Sequence, residues 1–276
     1  MRDNAVASGG HTALRSPSPA CYEKPVSHMP DDKDSCVIEP RRGRGEEILP
    51  QRAVLVFSPE DLASFSACFA QPPRRSHKLY LSEVFTGSCA GVSIALAGPM
   101  LGAPQTVLVL ERMIALGARK FIAAGWCGAL SKGVRIGDIV LPSRAISEEG
   151  TSGHYPGVEC VPSSELLEAL KSAMASTGPA IHEGAVWTTD APFRETRAKL
   201  RAFQSHGVLA VDMETSALFT VSRFRGVDLA VVLVVSDDLS GLKWVHGFRD
   251  SEFHESRKRV IQSTLTAIVS EGSRRK

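Results

Sequence analysis

The stretch VLAVDMETSALF, residues 208–219, decides how the chain folds because it joins two kinds of secondary structure. Its first four residues are small and apolar, as in a buried strand, and from Thr215 onward the apolar spacing is that of a helix packed on such a strand. Asp212 and Glu214 interrupt the apolar run at the junction. Two carboxylates at this point either stabilise the start of the helix through its macrodipole or point toward a ligand.

Composition excludes several classes of protein. The chain has 276 residues, is 43% hydrophobic and 22% charged, and carries a formal net charge of +2, which is ordinary for a soluble globular protein. The near-neutral balance argues against a protein that binds nucleic acid or a membrane surface. No apolar run reaches the ~18 residues that span a bilayer, and the N-terminus lacks the apolar core of a secretory signal. We therefore expect a cytoplasmic protein without nucleic-acid or membrane partners.

Two further features concern organisation. The six cysteines are scattered without a CxxC pair, so we expect free thiols rather than disulfides or a zinc site. Residues 1–51 are rich in Ser, Pro, Gly, Asp and Arg and keep no apolar periodicity, so we expect a disordered or loosely attached segment. Residues 52–276 are interpreted as one domain.

Beyond residue 52, short apolar runs alternate with segments of helical spacing. Strands are expected at 53–57, 78–87, 91–98, 120–125, 136–142, 181–187, 208–211 and 229–235, with a glycine-rich turn at 125–130. Helices are expected at 59–70, 102–118, 164–176, 195–206, 215–225 and 249–270. This alternation indicates an α/β fold with helices on both faces of a mostly parallel sheet.

Polar residues follow several of the expected strands. One strand ends in Ser236 and Asp237, another in Thr189 and Asp190, and a third in the DMET segment at 212–215. Ligands of open α/β sheets bind outside the carboxyl ends of the strands. Each cluster alone is more often a helix cap, but their placement at several strand ends favours a binding site.

The motifs, taken together, resemble a known family. The segments AAGWCGALSKGVRIGDIVLPSRAISEEGTSGHY (123–155), VWTTDAPFRET (186–196), AVDMETSALF (210–219) and VVSDDL (234–239) are similar in order and spacing to the purine and uridine phosphorylases, whose superfamily also includes nucleosidases. The resemblance implies a three-layer αβα sandwich around a mixed, mostly parallel, twisted and partly closed sheet, assembled as a homo-oligomer. It implies cleavage of an N-glycosidic bond with phosphate or water as acceptor, without a metal or an organic cofactor. The partners would be a nucleoside and phosphate.

The resemblance also implies roles for individual residues. Glu214 would accept hydrogen bonds from the ribose hydroxyls, Met213 would pack on the sugar, and Asp237 would protonate the departing purine. We expect the start of a helix to keep the pKa of Glu214 low, and burial to raise the pKa of Asp237. The other substrate-binding residues expected are Asp212, Phe193, Thr189, Asp190, Ser236, Gly125 and Trp126.

The acceptor site departs from the family pattern. Phosphorylases usually carry two arginines and a serine for phosphate, and Ala63, Ala123 and Trp126 stand at or near these positions. An anion needs charge-assisted donors, so three interpretations stay open. The overall pattern favours a phosphorylase that cleaves a purine nucleoside, or uridine, to ribose 1-phosphate. Loss of the arginines favours a nucleosidase with Glu60 or Asp61 as the base for water, and the third interpretation is a non-catalytic nucleoside-binding protein.

Overall fold

The computed structural model describes residues 36–174 and 178–270, and the described residues from 37 onward belong to one folded unit. Most of the N-terminal segment, residues 1–35, lies outside the described residues. Its last part runs along the domain: Leu49 is buried, and its N–H donates to the carbonyl of Leu116 at 2.9 Å. Glu46 accepts two hydrogen bonds from Arg112.

Ten strands and six α-helices make up the described part of the domain. The strands are β1 (Arg52–Val56), β2 (Arg74–Leu79), β3 (Ser82–Cys89), β4 (Val92–Gly98), β5 (Lys120–Ala129), β6 (Ile139–Ser147), β7 (Ile181–Thr188), β8 (Ala210–Asp212), β9 (Asp228–Asp238) and β10 (Val245–His246). The helices are α1 (Pro59–Ser66), α2 (Gly102–Ala115), α3 (Ser164–Ala173), α4 (Arg197–Ser205), α5 (Thr215–Phe224) and α6 (Ser251–Ser270).

All ten strands belong to one sheet, in the order β10-β9-β6-β7-β8-β5-β1-β4-β3-β2. Strands β4, β1, β5 and β9 pair in parallel, and so do β6, β7 and β8. The antiparallel pairs β6–β9 and β5–β8 join the two groups, so that β5, β9, β6, β7 and β8 form a closed ring. The mixed, partly closed sheet implied by the resemblance is therefore confirmed.

Helices cover both faces of this sheet. Helices α2 and α5 pack together on one face, and α3 and α6 pack together on the other. Leu55 of β1 and Leu233 of β9 belong to the first core, whereas their neighbours Val56 and Val234 belong to the second. Burial on both faces explains why these strands are continuous apolar runs without polar alternation. The three-layer αβα arrangement is confirmed.

The structure corrects two predictions of secondary structure. Residues 78–87 do not form one strand: β2 ends at Leu79, Tyr80 turns the chain with a φ of 57°, and β3 begins at Ser82. Residues 125–130 are not a turn, because β5 continues to Ala129 while pairing with β9 and β8. Pairing on both edges overrides the local preference of glycine for turns.

Within the described parts of the chain, no helix combines the length and the apolar composition that crossing a membrane requires. The cysteines of this part are all free thiols, namely Cys36, Cys68, Cys89, Cys127 and Cys160.

Candidate functional site

A cavity of about 880 Å³ lies where the last residues of β5 and β9 meet the junction between β8 and α5. This volume is within the range of small-molecule sites in proteins. Among the residues that line it are the predicted site residues Asp237, Glu214, Met213, Asp212, Phe193, Ser236 and Trp126. Carboxyl groups from two distant segments of the chain therefore face one space.

Three predicted site residues lie outside the lining. Thr189 is buried and accepts a hydrogen bond from the N–H of Ala191, and Asp190 accepts one from the N–H of Gly150 at 2.9 Å. At Gly125, an added Cβ would lie 2.7 Å from the ring of Phe57, so this glycine makes room for a neighbouring side chain. Phe193 is at the opposite extreme, since it lines the cavity and is fully exposed.

Both carboxylate oxygens of Asp212 accept hydrogen bonds from within the protein. Its Oδ2 accepts hydrogen bonds from the N–H and the hydroxyl of Thr215, and its Oδ1 accepts one from the hydroxyl of Thr188 at 2.7 Å. The N–H of Ser216 donates to Thr188, and the hydroxyl of Ser216 donates to Glu149. Asp212 thus satisfies donors in the first turn of α5, and this network fixes where α5 begins.

Glu214 takes no part in this capping network. It occupies the N-cap position of α5 without capping it, and its Oε1 accepts a hydrogen bond from the N–H of Gly102 at 2.6 Å. Burial, followed by the nearby charge of Asp212, raises the pKa of Glu214 to about 8. The expectation of a low pKa is therefore wrong, because only 8% of the residue is exposed and desolvation outweighs the favourable helix dipole.

Asp237 is placed by an irregularity in the sheet. Cys127 pairs with Val235 and Gly128 with Asp237, so Ser236 is the extra residue of a bulge in β9. Bulges re-aim the neighbouring side chain. Gly128 leaves the room for it, since an added Cβ would lie 3.0 Å from Oδ2 of Asp237.

The carboxyl group of Asp237 has two hydrogen-bond donors. The hydroxyl of Ser236 donates to Oδ1 at 2.7 Å, and Nε1 of Trp244 donates to Oδ2 at 3.0 Å. Burial nevertheless raises the pKa of Asp237 above its ordinary value, which confirms the expected direction. A carboxyl group with a raised pKa is suited to act as an acid.

Glu195 is a lining residue that the sequence did not single out. It lies just before α4, and burial together with the charge of Asp237 raises its pKa to about 7. The sequence offered only a charged residue near the expected start of a helix. Trp244, whose indole contacts Asp237, was missed because nothing in the local pattern marks it.

The two arginine positions of the family pattern are occupied by alanines that do not line the cavity. Ala123 is buried within β5, and Ala63 is exposed on α1, outside the lining. Trp126 lines the cavity, and its ring meets Phe253 edge-on with centroids 5.2 Å apart. The guanidinium of Arg257 lies over the same ring at 5.0 Å. Trp126, where the family pattern has a serine, therefore belongs to a cluster with Phe253 and Arg257.

The two carboxylates proposed as a base for water differ in position. Glu60 is exposed and does not line the cavity. Asp61 is buried, and Arg257 donates to its Oδ1 from Nε and Nη2. The described residues contain no group of three or more His, Cys, Asp or Glu side chains arranged to hold a metal ion.

Fold, cavity and comparison with known sequences define the class of this protein. The chain belongs to the Phosphorylase superfamily, whose sequence profile matches residues 51–271. Its relatives in this family are pentosyltransferases.

Individual relatives give finer comparisons. The chain is 30% identical to the DeoD-type purine nucleoside phosphorylase of Bacillus cereus over 190 residues, which are 67% of this chain and 79% of the relative. It is 28% identical to the guanosine phosphorylase of Halorubrum lacusprofundi over 193 residues, 68% of this chain and 80% of the relative. The crystal structure of uridine phosphorylase from Vibrio fischeri superposes with a TM-score of 0.74 at 21% identity, covering 81% of this chain and 93% of that one. This last likeness concerns the fold.

Proposed function

We propose that the protein cleaves the N-glycosidic bond of a purine nucleoside and transfers the ribosyl group to phosphate, releasing free base and ribose 1-phosphate. The observation that carries this proposal is the presence of Glu214 and Asp237 on one cavity. Glu214 would bind the sugar, and Asp237 would protonate the departing base. The names of the purine nucleoside and guanosine phosphorylase relatives support a purine and phosphate. Uridine is the next candidate.

The sugar would be held at Glu214 and Met213. Cleavage of the bond develops positive charge on the ribose, as in other glycosyl transfers. A carboxylate that accepts hydrogen bonds from the two ribose hydroxyls orients the sugar and stabilises this charge. With a pKa of about 8, Glu214 is mostly protonated at pH 7 in the empty cavity. Because the hydroxyls favour its ionised form, nucleoside binding at pH 7 should release a proton.

The base would be protonated by Asp237. The electron pair of the broken bond stays on the purine, and a proton given to N7 neutralises it. Burial raises the pKa of Asp237, which favours the protonated form that this step requires. Ser236 and Trp244 both donate to this carboxyl group, so they stabilise the carboxylate that remains after the proton has left.

A second candidate, hydrolysis with water as acceptor, is favoured by Trp126. Its ring and the packed rings behind it stand where the family pattern places a phosphate donor. The basic residues of the lining are Arg197 and Lys243. Arg197 lies two residues after Glu195, and Lys243 precedes Trp244. Binding of phosphate requires positively charged hydrogen-bond donors, whereas binding of water does not.

Product analysis tests the proposal. The purified protein is incubated with inosine, guanosine, adenosine or uridine, with and without phosphate, and sugar products are separated by anion-exchange chromatography. Phosphate-dependent formation of ribose 1-phosphate from a purine nucleoside is the expected result. Release of free ribose without phosphate would replace the first candidate with the second. Absence of cleavage throughout would leave a nucleoside-binding protein.

We further propose that the chain acts in the cytoplasm as a homo-oligomer, as its resemblance to the family implies. Large apolar side chains such as Leu81 and Leu101 are 80% and 71% exposed, and such exposure is common at subunit interfaces. Light scattering coupled to size-exclusion chromatography measures the subunit number, and a monomer would contradict the proposal.

A further inference from the structure

The turn that follows β9 contains a strained residue with no part in the chemistry described so far. Leu242 has a φ of 59°, in the left-handed region that a bulky side chain rarely adopts. A glycine would form the same turn without this strain. Leu242 nevertheless lines the cavity and is only partly buried. Strained backbone beside a ligand cavity indicates that the leucine side chain has a functional role.

Hydrogen bonds to the backbone hold this turn in place. The N–H of Leu242 donates to the carbonyl of Leu239 at 2.9 Å. From helix α4, Nε2 of Gln204 donates to the carbonyl of Ser240 at 3.0 Å, and Nε of Arg197 donates to the carbonyl of Leu242 at 3.4 Å. Contacts from another element therefore fix the direction in which Leu242 presents its side chain.

Leu242 belongs to an apolar patch of the cavity wall. The patch consists of four lining residues that share one hydrophobic cluster, namely Leu200, Val211, Leu239 and Leu242. An added Cβ at Gly128 would lie 2.6 Å from Cδ1 of Leu239 and 3.0 Å from Oδ2 of Asp237. The patch therefore begins directly beside the carboxyl group proposed as the acid.

The chemistry of the acid determines which part of a purine meets the apolar patch. N7 and the substituent on C6 lie on the same edge of a purine. A purine that receives a proton from Asp237 at N7 therefore turns its C6 substituent toward the residues beside that acid. The cavity volume of about 880 Å³ is near the upper end of the range for drug-sized ligands. An unsubstituted nucleoside is small for such a cavity, which leaves room for a larger group on C6.

We propose that the apolar patch binds an apolar substituent on C6 of the purine, and that Leu242 is a specificity-determining residue for nucleosides that carry one, such as N6-alkyladenosines. The inference rests on the proposed N-glycosidic cleavage and names the class of purine that this site takes. The alkyl group leaves water on binding, which is favourable in proportion to its apolar area. It takes no part in the bonds that form and break.

A polar residue near the patch favours an amine at C6. Glu195 lines the cavity and interacts with the charge of Asp237, so a hydrogen-bond acceptor lies close to the same edge of the base. An N6-alkyl amine keeps one N–H that can donate to this acceptor while its alkyl group contacts the apolar patch. An oxygen on C6 has no proton to donate and would leave the leucine side chains without an apolar partner.

Core packing explains only part of this arrangement, because Leu242 packs against the buried members of the cluster but is itself partly exposed. Two substitutions separate packing from ligand binding. Asparagine has the branching and approximate size of leucine, tolerates a positive φ and makes this part of the wall polar. Glycine forms the turn without strain and removes the side chain.

The first experiment measures binding of the free base, which does not depend on cleavage. The dissociation constants of adenine and of its N6-methyl, N6-ethyl and N6-propyl derivatives are determined by isothermal titration calorimetry. For the wild type we expect affinity to rise with each methylene group, by up to about fourfold per group. Leu242→Asn and Leu242→Gly should both lose most of this increase. Tyr80→Asn is the matched control, because Tyr80 has a φ of 57° and does not line the cavity.

The second experiment measures kcat/KM for the corresponding nucleosides, from adenosine to N6-propyladenosine, with phosphate present. We expect Leu242→Asn to lower the value for N6-propyladenosine about tenfold or more and to change the value for adenosine much less. Tyr80→Asn should retain the wild-type preference.

The outcomes distinguish the inference from the proposed function. Wild-type affinity that stays constant or falls with alkyl length would overturn the inference alone, and so would the same increase in both Leu242 variants as in the wild type. An increase in affinity with alkyl length, without cleavage of any nucleoside, would support the apolar patch and overturn the proposed function.

Discussion

Carboxyl groups on the nucleoside side of the cavity and in helix α1 are balanced in opposite ways. On the nucleoside side, Glu214 and Asp237 are bound by neutral donors, and burial raises the pKa of both. In helix α1, outside the lining, Asp61 is as buried as Glu214 but accepts two hydrogen bonds from Arg257. On the nucleoside side, burial of Glu214 and Asp237 carries a desolvation cost that hydrogen bonds from a ligand can relieve. The pair of Asp61 and Arg257 is balanced internally, so it has no such cost for a ligand to relieve.

Breaking the balanced pair should have the largest effect. Arg257→Leu leaves Asp61 as an unpaired buried charge, and we expect a loss of about 3–5 kcal/mol in the free energy of unfolding, measured by urea denaturation at pH 7. The double variant Arg257→Leu/Asp61→Leu should recover most of the loss. A single-variant loss below about 1 kcal/mol, the value of an exposed pair, would show that the pair of Asp61 and Arg257 does not behave as a buried one.

Removing the acid of the nucleoside side should affect catalysis rather than folding. We expect Asp237→Asn to lower kcat for purine nucleosides about 100- to 10,000-fold, and to have much less effect on a nucleoside whose leaving group needs no proton. Asp238→Asn is the control, because Asp238 is the adjacent carboxylate and accepts from the N–H of Ser240 without lining the cavity. Equal losses with both kinds of substrate would remove Asp237 from the acid role.

Neutralising Glu214 should lower catalytic activity and raise the free energy of unfolding. We expect Glu214→Gln to lower kcat/KM by about 2–4 kcal/mol of transition-state stabilisation, measured by steady-state kinetics. Unchanged turnover would contradict the contact between Glu214 and the sugar.

The same variant tests the raised pKa of Glu214 without any substrate. Folding raises this pKa from 4.5 to about 8, so between these pH values the folded protein holds a proton that the unfolded chain has released. Wild-type stability should therefore fall as pH rises through this window, by at most about 1.4 kcal/mol per pH unit, and level off above pH 8. Glu214→Gln should lack this slope in urea denaturation at pH 5 to 9, and identical slopes would contradict the raised pKa.

The smallest effect is expected at Glu195. Its pKa of about 7 reflects burial first and then the charge of Asp237, so the two carboxyl groups repel each other when both are ionised. Glu195→Gln removes one negative charge and should lower the pKa of Asp237. We expect the alkaline limit of purine cleavage to move to lower pH by on the order of one unit. A pH–rate profile identical to that of the wild type would show that the two groups do not interact.

Local pattern accounts for the parts of the fold that could be predicted. The apolar runs of β1 and β9 and the helical spacing of α2 and α5 are visible within short windows, and the strand ends marked Asp212, Glu214 and Asp237 as candidates. The turn predicted at 125–130 was wrong, since the pairing of β5 with β8 and β9 depends on distant residues.

The sequence by itself determined the order of strands and helices and which strand ends carry carboxyl groups, because hydrophobic period and side-chain chemistry are properties of neighbouring residues. Only the tertiary structure decided which hydrogen-bond donors and charges surround each carboxyl group. Asp61 meets Arg257 across 196 positions of the chain, and Glu214 meets Gly102 across 112. Burial and charge act through space, so the pKa of a side chain depends on partners that no local pattern reveals.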